Sequence, residues 1–249
     1  MNIKHLEKQV VSIVRKATKL YHNKEFFEVV EKHKYEKDDV TSNDIKTQEF
    51  LKSKLLKLIP GSCFIGEEGS EITDNSYVWI VDPIDGTQNY KKGLMFYATQ
   101  LALQYNGNTI LSVMYFPVTK QMYVATETGS KINGKPIKVS SMTDIAWSLS
   151  LMGNYAAYAE VEKKYKIQHK LVSNFKSVRL LGCAALNYAL CAVGKVEAVV
   201  VFGNTVWDLE PGKYLVEKAG GVVYTNADIN LHIAGNPEIV ENIKKLLGV

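Results

Sequence analysis

Asp82 and Asp85 close an apolar run, Trp79-Ile80-Val81-Asp82-Pro83-Ile84-Asp85, and a Gly86-Thr87 turn follows. A buried strand needs the aliphatic residues, but it has no need of two carboxylates at its tip. Pro83 has no N–H to give a ladder, so the strand is expected to stop there. Both acids can then face one space, which suits a hard divalent cation with oxygen ligands. Gly86 lets backbone approach a ligand closely, and the N–H groups of Gly86 and Thr87 can hold phosphate if a helix starts there. Cation and phosphate together point to phosphoryl chemistry.

Two more acidic sites repeat the pattern of an apolar strand ending in acid. Glu67 and Glu68 follow Cys63-Phe64-Ile65-Gly66, and Asp208 stands in Val206-Trp207-Asp208-Leu209-Glu210-Pro211-Gly212, soon after Glu197–Phe202. Each has a plainer reading. Glu67-Glu68 alone reads as exposed loop acids, Asp208 alone as a helix N-cap, and Asp82 with Asp85 alone is an even choice. Their joint occurrence favours a shared site, because ligands in open sheets collect beyond the carboxyl ends of strands.

The elements that must position these residues follow from periodicity. Leu6, Val10, Ile13, Val14, Ala17, Leu20 and Tyr21 recur at helical spacing. Thr41 or Ser42 can cap a second helix, with Leu51, Leu55, Leu58 and Ile59 inward and Pro60-Gly61 as its stop. Cys63–Ile65 and Tyr77–Val81 read as strands. Next comes antiparallel sheet, in which Asn106-Gly107 is a hairpin turn and Thr109–Tyr115 and Gln121–Thr126 are strands. Gly129–Gly134 is expected to be a loop and Ile137–Val139 a short strand. Tyr158–Ser173 is expected to be helical, Ser177–Arg179 and Glu197–Phe202 to be strands, and Ala184–Val193 to be a buried helix. Asp208–Ala219 reads as a helix and Val222–Tyr224 as a strand. Asn236-Pro237 caps a last helix. No repeat or clear linker breaks the chain, and a boundary near Ser140–Ile145 would divide it into halves of 1–142 and 143–249.

The bulk numbers are consistent with an enzyme of small anions. The chain has 249 residues, 46% of them hydrophobic, and a formal net charge of +4. That permits a sizeable core and disfavours wholesale disorder. The mild basic excess suits anionic small molecules and is weak support for nucleic-acid binding. The run Glu31–Asp39, with Lys32, Lys34 and Lys37, reads first as a solvated loop. Cys63, Cys183 and Cys191 form no CxxC pair and read as free thiols of a reducing compartment. The N-terminal stretch lacks the apolar core of a signal peptide, and no stretch approaches the length of a membrane span. A cytoplasmic protein without a membrane or nucleic-acid partner is expected.

The blocks Gly66-Glu67-Glu68, Trp79–Tyr90 (WIVDPIDGTQNY), Trp207–Gly212 (WDLEPG) and Asp39–Asp44 (DVTSND) closely resemble the inositol monophosphatase family in order and spacing. The likeness extends to Val113–Pro117, Asn133–Ser140 and Arg179–Leu186. It implies an α+β fold, a layered α-β-α-β-α sandwich of the sugar-phosphatase type. It implies hydrolysis of a small phosphorylated substrate with two to three Mg²⁺ ions, and a homodimer. By the same resemblance, Glu67, Asp82 and the Ile84 carbonyl would bind a first Mg²⁺, and Asp82, Asp85 and Asp208 a second. Glu67 would help hold a third through water. Glu68 would support the surroundings of the attacking water, and Asp44 with Thr87 would orient and deprotonate it. Gly86 and Thr87 amides would receive phosphate oxygens. The basic run Lys32–Lys37 matches a loop that folds over the metals in the family.

The departures concern substrate. Gln88 replaces a frequent threonine, Gly69 a serine or threonine, and Cys183, beside Ala184, a serine or threonine in a loop that faces substrate. Val201 stands where inositol-selective members carry a glutamate, and valine cannot accept hydroxyl hydrogen bonds. The reaction class is therefore better supported than inositol as the substrate. A 3′(2′)-phosphatase of phosphoadenosine phosphate or NADP, and a catalytically silent regulatory homologue, are the alternatives. Gly129–Pro136 nearly spells a P-loop, but it lacks the Ser/Thr after Lys135 and is rejected. Cys183 and Cys191, two turns apart on a buried helix, read as small hydrophobes. The five histidines show no metal spacing and read as surface or packing residues.

Overall fold

The computed structural model of this chain describes residues 2–22, 40–153 and 161–249. The Lys32–Lys37 run, Asp39 and the start of the helix expected from Tyr158 lie outside the described residues.

Two helices form the first layer. α1 (Ile3–Thr18) buries Leu6, Val10, Val14 and Ala17 along one stripe. α2 (Ser42–Leu58) is capped by Thr41, not Ser42, in a capping box closed by Asp44. Such a cap is worth about 1 kcal/mol, and here it also fixes the Asp44 carboxylate beside the start of the helix.

The first sheet runs β1 (Cys63–Gly66), β2 (Tyr77–Asp85), β3 (Ala98–Tyr105), β4 (Asn108–Phe116), β5 (Gln121–Thr126), β6 (Gly129–Ile132) and β7 (Lys135–Pro136), in that spatial order. β1 and β2 are parallel. Asn106-Gly107 joins β3 to β4, both residues at positive φ, as a type I′ hairpin turn requires. Gly129–Gly134 is not the expected loop. Asn133-Gly134 is a second two-residue turn at positive φ, and it pairs Ile132 with Lys135. The short strand therefore falls at Lys135–Pro136, before the expected Ile137–Val139. An antiparallel pair at this place also removes the P-loop reading. A five-residue helix, α3 (Thr87–Lys91), connects β2 to β3.

The second sheet contains β8 (Leu149–Met152), β9 (Ser177–Leu180), β10 (Ala198–Phe202), β11 (Val222–Asn226) and β12 (Leu231–Gly235), ordered β11-β12-β10-β8-β9. Sequence periodicity passed over β8 and β12. Both are short and almost wholly buried, so neither shows the alternation that marks a half-exposed strand. The helices of this half are α4 (Val161–Asn174), α5 (Ala184–Ala192), α6 (Val206–Lys218) and α7 (Pro237–Leu247). Asn236 caps α7, with Pro237 at its first position.

The alternation within the strands sorts these elements into five layers. Trp79, Val81, Leu101 and Val113 face α1 and α2. Met114, Tyr123 and Ala125 on the opposite face meet Tyr188 of α5 and Leu215 of α6, which also pack on Leu151 and Val199 of the second sheet. Met152, Val200 and Ile233 on that sheet's far side meet Leu171 of α4 and Ile239 and Ile243 of α7. This is the α-β-α-β-α arrangement. Among the described residues, no helix is long and apolar enough to cross a membrane.

Candidate active site

β2 does not stop at Pro83. It continues to Asp85 through a bulge: Asp82 pairs with Gln100 and Asp85 with Ala98, so Pro83 and Ile84 together oppose Thr99. The missing N–H of proline is tolerated because a bulge leaves a residue out of the ladder. The Pro83 carbonyl instead accepts the Thr99 hydroxyl at 2.7 Å. Strand residues three apart normally point to opposite faces. The extra residue cancels that alternation and turns Asp82 and Asp85 toward the same space.

Asp208 joins them from the first turn of α6. Carboxylate oxygens of Asp82, Asp85 and Asp208 lie within 4.8 Å of one another. The N-cap of α6 is Thr205, not Asp208. Thr205 donates its hydroxyl at 2.8 Å and its N–H at 3.2 Å to Asp208 Oδ2. Asp85 is gripped at the start of α5. Ala184 N–H donates to its Oδ1 at 3.1 Å, and Ala185 N–H and the Cys183 thiol both donate to its Oδ2. Cys183 is the N-cap residue of α5 and a polar partner of the acid cluster, so only Cys191 fits the reading as a small hydrophobe.

Asp82 is the most constrained of the three. It is 2% exposed. Gln100 Nε2 reaches its Oδ2 at 3.5 Å, and its Oδ1 has no hydrogen-bond partner. Burial pushes its carboxyl well above the usual range, and the charges of Glu67, Asp85 and Asp208 add to the effect. Burial also raises Asp85, against the hydrogen bonds from α5. A buried carboxylate oxygen without a donor, beside two further carboxylates, is costly alone. An all-oxygen donor set of this kind fits a hard divalent cation, which would relieve that cost.

Thr87 and Asp44 meet beside the cluster. Thr87 Oγ1 lies 2.8 Å from the Ile84 carbonyl and 3.2 Å from Asp44 Oδ1. Asp44 is buried, and Thr41 donates both its N–H and its hydroxyl to Asp44 Oδ2. Burial raises the Asp44 carboxyl, with the hydrogen bonds from Thr41 and Thr87 opposing. Gly86 between the two regions has φ +83°, and a Cβ there would stand 2.5 Å from the Phe96 carbonyl. Only glycine fits that conformation and that approach.

A cavity of about 400 Å³ opens over these groups. Glu67, Asp82, Ile84, Asp85 and Asp208 line it, as do Gly86, Thr87, Gln88, Cys183, Ala184 and Val201. Asp44 reaches it through Thr87. Glu68 is not among the lining residues, and its N–H donates to Gln48 Oε1 at 2.9 Å. Sequence reasoning missed several supports. Gln100 faces Asp82 from the neighbouring strand. Asn89 Nδ2 lies within 3.1 Å of the carbonyls of Phe96, Leu181 and Gly182, tying α3 to the loop before α5. Asn187 of α5 also lines the cavity. No local pattern marks these residues, because most of their partners lie far away in sequence.

The family model described as the inositol monophosphatase family matches residues 3–246. The chain belongs to the inositol monophosphatase family. A Thermotoga maritima protein named fructose-1,6-bisphosphatase/inositol-1-monophosphatase is 32% identical over 195 residues, covering 78% of this chain and 74% of that one. An Escherichia coli K12 protein named Nus factor SuhB is 31% identical over 214 residues, covering 82% and 80%. The solved structure of a Thermotoga maritima IMPase superimposes with a TM-score of 0.84 at 27% identity, covering 99% of this chain and 96% of that one. As an inositol monophosphatase family member the chain has a phosphatase fold, and Asp82, Asp85 and Asp208 form a group able to hold a metal ion.

Proposed function

We propose that this chain is a Mg²⁺-dependent phosphomonoesterase that hydrolyses small sugar, polyol or inositol phosphates with water as the nucleophile. The observation that carries the reading is the convergence of Asp82, Asp85 and Asp208 on one cavity, with the Thr87–Asp44 pair at its edge. Asp82, Asp85 and Asp208 would hold one Mg²⁺, and Glu67, Asp82 and the Ile84 carbonyl another, and Glu67 would help hold a third through water. Bound Mg²⁺ supplies charge neutralisation of the phosphate dianion, a lowered water pKa and stabilisation of the leaving oxygen. The chain's own residues do the rest. Gly86 and Thr87 N–H groups donate to phosphate oxygens, and the Thr87 hydroxyl orients the attacking water. It passes the water's proton to Asp44, whose raised pKa brings a carboxylate closer to working pH. Glu68 supports that water's surroundings from outside the cavity. Gln88, Cys183, Ala184 and Val201 line the leaving-group side, and Val201 disfavours dependence on inositol hydroxyls. The reading includes a homodimer acting in the cytoplasm.

Phosphate release from a panel tests this, with Mg²⁺ and again with EDTA. The panel holds inositol 1-phosphate, fructose 1,6-bisphosphate, glycerol 2-phosphate, phosphoadenosine phosphate and NADP. Magnesium-dependent release from a sugar or polyol phosphate is expected. Release confined to phosphoadenosine phosphate or NADP would assign a nucleotide phosphatase. The name Nus factor, carried by a relative of similar identity, favours a second reading, a regulatory role without turnover. Mg²⁺ binding with no release from any compound would select it.

A further inference from the structure

A buried cluster of Tyr21, Tyr90 and Tyr97 packs on Ile84, and the catalytic reading leaves the three tyrosines without a task. Tyr21 is fully buried in the turn that follows α1, far in sequence from every candidate ligand. Its hydroxyl lies 2.9 Å from Thr99 Oγ1. Thr99 gives its only proton to the Pro83 carbonyl at 2.7 Å, so Tyr21 must be the donor to Thr99. Burial holds the Tyr21 phenol well above its ordinary range, which keeps that proton in place. The chain Tyr21–Thr99–Pro83 thus ends inside the bulge that turns Asp82 and Asp85 to one side.

The same residue reaches the other half of the site through its backbone. The Tyr21 carbonyl accepts the Tyr90 hydroxyl at 3.0 Å, and the Tyr90 hydroxyl accepts Asn43 Nδ2 at 2.9 Å. Tyr90 lies on α3, one turn from Thr87, and Asn43 precedes Asp44. The Tyr21 and Tyr90 rings meet edge to face, with centroids 5.3 Å apart. The acid bulge, the Thr87 helix and the Asp44 cap are therefore all hydrogen-bonded, directly or through one residue, to Tyr21.

We propose that Tyr21 is a positioning residue for the metal and water-activating groups, acting through Thr99 on the Asp82–Asp85 bulge and through Tyr90 and Asn43 on Thr87 and Asp44. The inference rests on the metal-dependent phosphatase reading and adds a residue to it. A bulge leaves backbone groups out of the ladder, so its shape depends on a side chain that satisfies them. Tyr21 supplies the second member of that support and is not among the residues that line the cavity.

The test is Mg²⁺ binding followed by the thermal shift it causes, together with steady-state kinetics. Tyr21→Phe keeps the ring and removes only the hydroxyl. It should raise the Mg²⁺ concentration for a half-maximal thermal shift by about 3- to 10-fold, the worth of one buried hydrogen bond. It should lower kcat in the same range and leave KM for substrate nearly unchanged. Thr99→Val should do the same, and adding Tyr21→Phe to it should cost nothing further, because both act on one chain of bonds. Thr99→Ser should restore the wild-type Mg²⁺ requirement. If Tyr21→Phe lowers only Tm, or the two substitutions add independently, the proposal fails. Wild-type protein that binds Mg²⁺ but releases no phosphate would overturn the phosphatase reading instead, and the Mg²⁺ thermal shift would still decide whether Tyr21 shapes the site.

Discussion

Cys183, the N-cap residue of α5, donates its thiol proton to Asp85 Oδ2 across 3.1 Å, and the Ala184 and Ala185 N–H groups donate to the same carboxylate, so Asp85, not the thiol, satisfies the start of the helix. Burial raises this thiol well above its ordinary range, and the Asp85 charge raises it further. The thiolate is the reactive form, so Cys183 should resist iodoacetamide at pH 8 in the native protein. Mass spectrometry should find it modified only after unfolding. Rapid labelling of native protein at this position would contradict the hydrogen bond.

Thr87→Val should remove proton transfer and spare the carboxylates. We expect kcat to fall by about 10²- to 10⁴-fold, the range for lost general acid–base help. Mg²⁺ affinity from the thermal shift should stay within a few-fold of wild type. A matching loss of Mg²⁺ binding would move Thr87 from proton transfer to metal support.

Gly86→Ala should destabilise the fold by about 1–3 kcal/mol, because it places a side chain at positive φ and against the Phe96 carbonyl. Urea unfolding with metal-free protein reads this without interference from ligand binding. An unchanged midpoint would mean that the turn can reshape.

The pH dependence of the metal-free protein carries the sign of the acid cluster. The Asp82 carboxyl is raised in the folded state by burial and by three neighbouring acids. The native protein then holds more protons than the unfolded chain, and stability falls as pH rises through the folded value. His22 and His232, lowered by burial, act in the opposite direction near pH 6. The Asp82 share is isolated by comparison with Asp82→Asn. The stability advantage of that variant over wild type should grow between pH 5 and pH 8 without metal, and should shrink or reverse with Mg²⁺. A constant difference across this range would show that Asp82 is not held protonated by its surroundings.

Much of this site is legible in the sequence for a local reason. Asp82, Asp85, Gly86 and Thr87 sit within six residues, and Glu67 and Asp208 each follow an apolar strand. The α1, α2 and α7 helices announce themselves through their apolar spacing and their caps at Asn236 and Thr41. The bulge at Pro83 is not legible, because proline reads as a stop until a partner strand shows which residue it opposes. β8 and β12 are hidden by burial on both faces. Gln100, Asn89 and Tyr21 work through partners across a sheet or far along the chain, and no spacing rule reaches that distance.

The measurement closest to the central claim is phosphate release during a Mg²⁺ titration, for wild type and Asp82→Asn side by side. The substrate is the compound that the wild type hydrolyses best in the panel. Release by the wild type should rise from the EDTA blank to saturation. The variant should fall below it by more than about 100-fold at every Mg²⁺ concentration, exceeding the upper end for loss of a group that only supports a ligand. Near-normal turnover by Asp82→Asn, or wild-type release that ignores EDTA, would contradict a reaction built on the Asp82–Asp85–Asp208 cluster.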